Sequence, residues 1–410
     1  MPPPSRADAA EGADLLPEVP GPAGVLLWGA LRDFLVWVDA PAAARAGLYG
    51  DGAGELRRAE LAAAVPDQEL WAPLLTLAQM TDAPHRTDLA RMVFAVRSVA
   101  RWAERRGAPA TRLAFTRAAA LALPQDAALA LETGRLARDL ARHAQAEAWF
   151  RRAIRLARGR DWNSYAWGFI GLGVLYQRAG NYPAAGAVMS RALRAALKRR
   201  LPGAEGSARH HLFVFSLDAG RMEEAYAHAR AAVRAYGEGH PRLPALAHDL
   251  GCFWAQQGRF DRALQIFEAA LPWLTDTPSR LMALANFARA SAGGGDRRRY
   301  ACGRDEAEAL LSDPTTGLVA ADALLLLAQG DTSLGEWERA EDAARRALAI
   351  AEARGESMTQ MQAEALLDAA RNNRSVAEAV QLAETPRLAV QAEELAGALR
   401  AWLSRPAGAA

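Results

Sequence analysis

The 410-residue sequence contains few cysteines, few isoleucines and almost no lysine. Its two cysteines, Cys252 and Cys302, are too few and too far apart for a disulfide framework or a cysteine-rich metal motif. Isoleucine occurs four times, and because β-branched residues favour strands, we expect no large β-sheet. Lys198 is the sole lysine and follows no glycine run, which excludes a phosphate-binding loop of the Walker type.

Long hydrophobic runs are also missing. The most apolar stretch, 25–38, is short and is interrupted by Arg32 and Asp33, so it does not fit a membrane span. The first residues lack the basic region and the apolar region of a secretory signal. We therefore expect a soluble, cytoplasmic protein without a membrane partner.

Alanine, by contrast, is abundant, with 97 residues in the chain. Because alanine is the strongest helix former, this composition predicts an all-α protein. The formal net charge is only +2, which gives no strong overall attraction to nucleic acid or membrane. The charge is uneven, however: residues 151–200 contain 11 basic residues and one acidic residue, whereas 301–410 contain 10 basic and 18 acidic residues. This pattern fits solvated helix faces, a basic surface for an acidic partner, or head-to-tail self-association.

Two segments of the chain repeat the same pattern at the same offsets. In 163–200 the matching residues are Leu172, Gly173, Tyr176, Gly180, Tyr182, Ala185, Met189 and Ala192. In 244–277 they are Leu250, Gly251, Trp254, Gly258, Phe260, Ala263, Phe267 and Ala270. The agreement predicts a repeated helix–turn–helix unit. Partial copies occur at 92–125, 127–160, 206–239 and 321–354, and Ala141 takes the place of one turn glycine.

This pattern resembles the tetratricopeptide repeat (TPR) family, over roughly residues 88–354. The physical logic of the residues agrees with the resemblance. A small residue midway along the first helix lets the second helix approach closely, and a glycine can end the first helix with a positive φ. The segment 279–313 is degenerate, and its turn is expanded over 292–300, where the glycines and arginines predict an irregular loop.

We therefore predict an all-α fold, a right-handed superhelical solenoid of TPR-like helix–turn–helix repeats with helical caps. Helices over 25–38, 55–64 and 68–79 form the N-terminal cap, and helices over 356–371, 375–383 and 386–403 form the C-terminal cap. The predicted parts are a flexible tail at 1–22, an N-terminal helical cap at 23–87, a repeat array of six to seven units at 88–355, and capping helices at 356–410.

No motif of the chain points to catalysis. The sequence has neither the Gly-x-Ser-x-Gly elbow of hydrolases nor a His-Glu-x-x-His zinc motif. Five of the seven histidines lie between 210 and 248, but none has a spacing typical of metal ligands. We expect no catalytic site, no cofactor and no metal, and an enzyme or a metal protein is the least favoured alternative.

The resemblance implies a function in binding proteins. In this family the first helices of successive repeats line a concave groove that commonly captures an extended peptide or a partner helix. The residues projected into that groove are Arg135, Arg138, Trp167, Gln177, Arg178, His210, Asp218, His248, Gln256, Asn286, Arg289 and Gln329. This polar, partly basic lining suits a peptide backbone held by amide side chains, or an acidic segment held by arginines.

The leading hypothesis is thus a non-catalytic scaffold or adaptor that binds a protein or peptide in this groove. The alternatives are a regulatory peptide sensor and a nucleic-acid-binding module that uses the basic region 151–200. In that region Trp162, Tyr165 and Trp167 lie between two arginine runs and would suit stacking on bases. Aromatic residues at helical spacing are more often core residues, and nucleic acid is therefore the weaker alternative.

Overall fold

The computed structural model describes residues 13–64, 67–375 and 386–403. In these ranges the chain forms α-helices and three short 3-10 helices, and it forms no strand. The prediction of an all-α solenoid of helical repeats is confirmed. The chain divides into two compact units, residues 1–171 and 172–410, and this boundary falls within the predicted repeat array.

Unit 1 (residues 1–171) contains the predicted N-terminal helices and the first repeats. Its helices are α1 (Leu15–Glu18), α2 (Pro22–Asp39), α3 (Ala53–Ala64), α4 (Gln68–Asp82), α5 (Leu89–Arg105), α6 (Pro109–Ala122), α7 (Ala127–Asp139), α8 (His143–Ala157) and most of α9 (Trp162–Arg178). A 3-10 helix, Ala42–Gly47, lies between α2 and α3. The side chain of Asp67 accepts a hydrogen bond from Glu69 N and caps α4.

Unit 2 (residues 172–410) is a series of helix pairs followed by a final helix. Its helices after α9 are α10 (Tyr182–Arg199), α11 (Pro202–Asp218), α12 (Met222–Tyr236), α13 (Leu243–Gln256), α14 (Phe260–Ala270), α15 (Thr277–Gly293), α16 (Arg297–Leu310), α17 (Ala320–Leu334), α18 (Trp337–Arg354), α19 (Ser357–Arg371) and α20 (Pro386–Leu403). The odd-numbered helices α11, α13, α15 and α17 are the first helices of their repeats.

Glycines on first helices set the distance to the second helices. A Cβ added at Gly134 would lie 2.8 Å from Phe150, and one added at Gly251 would lie 2.6 Å from Phe267. At Gly173 an added Cβ would lie 2.6 Å from Met189. In all three pairs the partner follows the glycine by sixteen residues, so the same contact recurs in these three repeats. Such close packing leaves no room for a side chain on the first helix.

Alanine supplies the matching small positions on the second helices. The six alanines that recur at fixed offsets are almost completely buried, with relative exposures of 0 or 1%. They are Ala185, Ala192, Ala263, Ala270, Ala340 and Ala347. Part of the large alanine content therefore encodes close helix packing in addition to helix propensity.

The turns between paired helices use residues with a positive φ. Gly180, Gly220, Gly258 and Gly335 have φ between +70° and +76°. Ala141, which replaces the turn glycine of its repeat, also adopts a positive φ, of +55°. The turn geometry is thus retained where the sequence lacks glycine, at a cost in backbone strain.

The prediction of an irregular loop at 292–300 is wrong. Helix α15 continues to Gly293 and α16 begins at Arg297, so only three residues form the turn. Gly295 has φ +77°, and the side chain of Asp296 accepts a hydrogen bond from Arg299 N and caps α16. Gly293 lies against the ring of Phe260, which would be 2.4 Å from an added Cβ, so this glycine serves packing rather than flexibility.

The prediction of a flexible tail at 1–22 is wrong for the described residues near its end. Residues 15–18 form α1, and Leu15 is fully buried. The carboxylate of Glu18 accepts hydrogen bonds from Ala110 N at 2.7 Å and from Thr111 N at 2.8 Å. These N–H groups lie at the start of α6 and have no partner within the helix. The N-cap residue of α6 has no side chain that could accept their hydrogen bonds. Residues 1–12 lie outside the described residues.

The final helix, α20, packs its apolar face onto α12, α13 and α14. Leu395, Leu399 and Trp402 are buried there, and the indole of Trp273 donates a 2.8 Å hydrogen bond to the Leu403 carbonyl. The predicted helices 356–371 and 386–403 are confirmed to within a residue at each end, whereas the helix predicted over 375–383 falls almost entirely outside the described residues. Among the helices that the structure describes, none has the length and hydropathy of a membrane span.

Alanine should destabilise the protein at Gly251 and stabilise it at Gly186. Alanine in a helix is ordinarily favoured over glycine by about 0.5–1 kcal/mol. This gain is expected for Gly186→Ala, because Gly186 lies within α10 and has no atom within 4 Å of an added Cβ. At Gly251 the clash with Phe267 should instead lower the free energy of unfolding by about 1–3 kcal/mol. Chemical denaturation of both variants checks the prediction, and equal effects at the two positions would contradict it.

Glycine should stabilise the turn at Ala141. An L-residue in the left-handed region costs about 1–2 kcal/mol, whereas glycine adds about 0.4–1 kcal/mol of unfolded-state entropy. Ala141→Gly should therefore raise the free energy of unfolding by about 0.5–1 kcal/mol, and the reverse change Gly258→Ala should lower it. Denaturation midpoints that move in the opposite directions would show that these turns carry no strain.

Candidate functional site

Four of the projected groove residues meet in unit 2, on three successive first helices. We call the set His210, His248, Asp249, Cys252, Asn286 and Arg289 the polar row. His210 on α11 and Asp249 on α13 are joined by a hydrogen bond of 2.7 Å between Nε2 and Oδ2. The other carboxylate oxygen, Oδ1, lies 3.1 Å from Nδ1 of His248.

The row continues from α13 onto α15. Nδ2 of Asn286 lies 3.3 Å from Nε2 of His248 and donates a 3.1 Å hydrogen bond to the Met282 carbonyl. One guanidinium nitrogen of Arg289 donates to Oδ1 of Asn286 at 3.4 Å. The Nε of Arg289 is buried and has no hydrogen-bond partner among the described residues. Within this part of the chain, the row therefore ends in an unsatisfied donor.

The repeat period explains why these residues meet. His210, His248 and Asn286 follow one another at intervals of 38 residues, which is the length of one repeat in this part of the chain. Equivalent positions on successive first helices are neighbours in a stack of repeats. Polar residues at one such position therefore form a line across α11, α13 and α15.

The charges of the row depend on one another. Burial would raise the pKa of Asp249, but the hydrogen bonds from His210 and His248 hold it well below its usual range. Burial would lower the pKa of His248, but the Cys252 sulfur and the Asp249 carboxylate together raise it. Burial lowers the pKa of the Arg289 guanidinium, an effect that the nearby Cys252 opposes. The carboxylate thus stays ionised and favours the protonated form of His248.

Two members of the row were missed by the sequence analysis. Asp249 follows His248 directly, and Cys252 lies one helical turn after His248, with its sulfur 3.5 Å from Nε2. Residues four apart share a helix face, so the pattern His-Asp-x-x-Cys on a predicted first helix is the signal that would have found them. The side chain of Asp249 is 32% exposed, which makes it the most accessible of the carboxylate and the two imidazoles.

The other projected residues occupy different surroundings. In unit 1 the guanidinium of Arg135 lies 5.1 Å from the ring centroid of Trp167, and Arg138 pairs with Asp139 at 2.8 Å. In unit 2 Arg178 is exposed and its charge acts on Asp322 of α17, whose pKa is nonetheless raised by burial. Gln177 and Gln329 are half-buried and Gln256 is exposed, whereas the side chain of Asp218 is not among those described.

The basic region has partners of its own within unit 1. Arg151 pairs with Glu147 at 2.6 Å, and the guanidinium of Arg152 lies 5.0 Å from the ring centroid of Trp149. Trp162 packs edge-on against Tyr165 at 5.2 Å, and Tyr165 packs in the same way against Phe169. Arg151, Arg152 and the rings of Trp162 and Tyr165 thus have partners within the protein, and these contacts give no support to base stacking.

Comparisons with known proteins support the fold. No protein-family model matches the chain, and no curated protein matches it. Among solved structures, a Rap protein complexed with Competence and Sporulation Factor is 14% identical, with a TM-score of 0.51 over 85% of this chain and 99% of that chain. The Rap conjugation gene regulator of the plasmid pLS20, in complex with the Phr* peptide, is 15% identical, with a TM-score of 0.50 over 82% of this chain and 98% of that chain.

At such low identity the likeness shows the fold alone. The structural neighbours are helical-repeat proteins of the TPR type. The helix–turn–helix pairs, the recurring glycine contacts and the turn glycines agree with that fold. The chain is therefore a TPR-like helical-repeat protein.

Proposed function

We propose that unit 2 binds a peptide, or an extended segment of a partner protein, across its first helices α11, α13 and α15. In this proposal the chain is a non-catalytic scaffold, adaptor or peptide sensor. The observation that carries the proposal is the polar row, which crosses three successive first helices and ends in an unsatisfied donor. A row of this kind offers polar groups on successive helices, which an extended chain can follow.

The groups in the row suit a peptide backbone. An extended peptide presents alternating N–H donors and C=O acceptors, and side chains that both donate and accept can pair with either. The exposed Gln256 is such a side chain, and the partly exposed carboxylate of Asp249 accepts from N–H groups. The amide of Asn286 is buried and pairs within the protein. Gln256 lies one helical turn after Cys252 on α13 and extends the same polar character towards the end of the helix.

Arg289 favours an acidic ligand. A buried donor without a partner costs about 1–3 kcal/mol, and a ligand oxygen that reaches Nε removes this cost. Carboxylates bind arginine through two parallel hydrogen bonds, which are stronger than bonds to a neutral carbonyl. We therefore infer that the ligand places a carboxylate, from an acidic side chain or a C-terminus, beside Arg289.

The structural neighbours point in the same direction. One Rap structure is complexed with Competence and Sporulation Factor and the other with the Phr* peptide, and each is covered almost completely by this chain. The agreement supports the class of function, a peptide-binding helical repeat.

The geometry of the row supports a non-catalytic role. Cys252, His248 and Asp249 are arranged in the order of a nucleophile, a base and an orienting carboxylate. All three lie within one continuous helix, whose backbone N–H groups are used in helix hydrogen bonds. The backbone N–H groups beside Cys252 are thus not free to stabilise an oxyanion, as acyl transfer would require.

Loss of the Arg289 side chain should weaken peptide binding about tenfold or more. A hydrogen bond to a charged group contributes about 1.5–3 kcal/mol, and 1.4 kcal/mol corresponds to a factor of ten in affinity. A random-peptide display library selected on the full chain provides the ligands, and fluorescence anisotropy of the labelled peptides measures their affinity for the Arg289→Ala variant.

The matched control is Arg298→Ala, because Arg298 is an exposed arginine on the second helix α16. We expect this variant to bind the selected peptides as the parent chain does. Selected peptides without acidic residues, or peptides that bind the two variants equally, would contradict the proposed site.

A further inference from the structure

The polar row contains a set of metal-ligating side chains. In the part of the chain that the structure describes, His248, Asp249 and Cys252 each offer one ligand atom, and these atoms all lie within 4.8 Å of one another. Nδ1 of His248 is 3.1 Å from Oδ1 of Asp249 and 3.9 Å from the sulfur of Cys252. Ligands of one tetrahedral metal ion, bound at about 2.0–2.3 Å, are separated by similar distances.

One of these ligands is supported by a neighbour on another helix. Metal-bound carboxylates are usually hydrogen-bonded through their second oxygen. The second oxygen of Asp249, Oδ2, is bonded to His210 at 2.7 Å. This support comes from α11, outside the helix on which the ligands lie.

The donor set selects the metal. One thiolate, one imidazole and one carboxylate suit Zn²⁺, whereas Ca²⁺ and Mg²⁺ prefer oxygen ligands alone. We propose that His248, Asp249 and Cys252 bind one Zn²⁺ ion, with a fourth position open towards the exposed side of Asp249. This site goes beyond peptide binding and does not depend on it.

The charges of the site balance on binding. Formation of the Zn–N and Zn–S bonds releases the proton of the ligating nitrogen of His248 and the thiol proton of Cys252 to solvent, and the thiolate and the Asp249 carboxylate together neutralise the divalent cation. The positive charge of Arg289 then remains available for a ligand in the groove. A three-ligand site with an open position is the arrangement of zinc sites that accept an external ligand.

Cobalt substitution tests the proposal, because Co²⁺ takes the place of Zn²⁺ and a Co–thiolate bond absorbs in the near ultraviolet. The full chain, freed of metal by a chelator and kept reduced, is titrated with Co²⁺ alone, without peptide. We expect one equivalent to produce the thiolate charge-transfer band and added Zn²⁺ to abolish it. The His210→Ala variant should bind Co²⁺ about tenfold more weakly, as expected for loss of the supporting partner of Asp249.

The second cysteine provides the matched control. Cys302 is exposed on α16, so Cys302→Ser should retain the band, whereas Cys252→Ser should lose it. Protection of Cys252 from iodoacetamide by Zn²⁺, read by mass spectrometry on the unmutated chain, tests the same bond without a substitution. Absence of the band, a band that survives Cys252→Ser, or alkylation of Cys252 that Zn²⁺ does not slow would each overturn the proposal. All of these measurements omit peptide, so they fail or succeed independently of the proposed function.

Discussion

The close contact between a small residue on the first helix and a buried side chain on the second is the constraint on which the repeat packing depends, and glycine provides it at Gly134, Gly173 and Gly251. At Gly134 and Gly251 the partner is a fully buried phenylalanine ring, which occupies the space where a Cβ would lie. The two helices of a pair are thereby held at a short and constant distance. Constant pairs stack with a constant period, and this period brings His210, His248 and Asn286 together although 38 residues separate each from the next. The candidate site thus follows from the packing rule.

The sequence contains enough information for the repeats and too little for contacts between distant segments. The shared offsets, the turn glycines and the small alanines predict the helix pairs because these features are local and periodic. The cap that Glu18 provides for α6 joins residues more than 90 positions apart, and nothing in the segment around Glu18 indicates it. The turn at Gly295 was misjudged because glycines and arginines in succession resemble a loop, whereas the arginines belong to the first turn of α16.

The candidate site was predicted in part for the same reason. His210, His248, Asn286 and Arg289 were found because they lie on the predicted outward face of successive first helices. Asp249 was missed because its carboxylate lies beside the face that the projection used, and only the structure shows that it joins His210 to His248. Arg135 and Trp167 were projected into the groove by the same rule, but they contact each other in unit 1 through a cation–π interaction and do not belong to the polar row. A position on the outward face of a first helix therefore does not by itself place a residue in the candidate site.

A comparison with a second charged network in unit 2 distinguishes a structural role from a binding role. Arg304 on α16 holds both carboxylate oxygens of Asp331 on α17, at 3.1 and 3.2 Å, and Tyr300 donates to the same carboxylate. Asp331 is fully buried and its oxygens are satisfied, as expected for a contact that joins two helices. The polar row differs in both respects, since the Asp249 side chain is 32% exposed and Nε of Arg289 has no hydrogen-bond partner in the part of the chain that the structure describes. An incompletely satisfied network on the first helices is the feature that a ligand would complete.

The central claim is that the first helices of unit 2 form the binding face. Hydrogen–deuterium exchange of the full chain, measured with and without a saturating peptide from the display selection, tests this claim most directly because it compares every helix in one experiment. The account predicts slower exchange in α11, α13 and α15 when peptide is bound, with unchanged exchange in α12, α14 and α16. Protection confined to the second helices, or to the basic region 151–200, would contradict it.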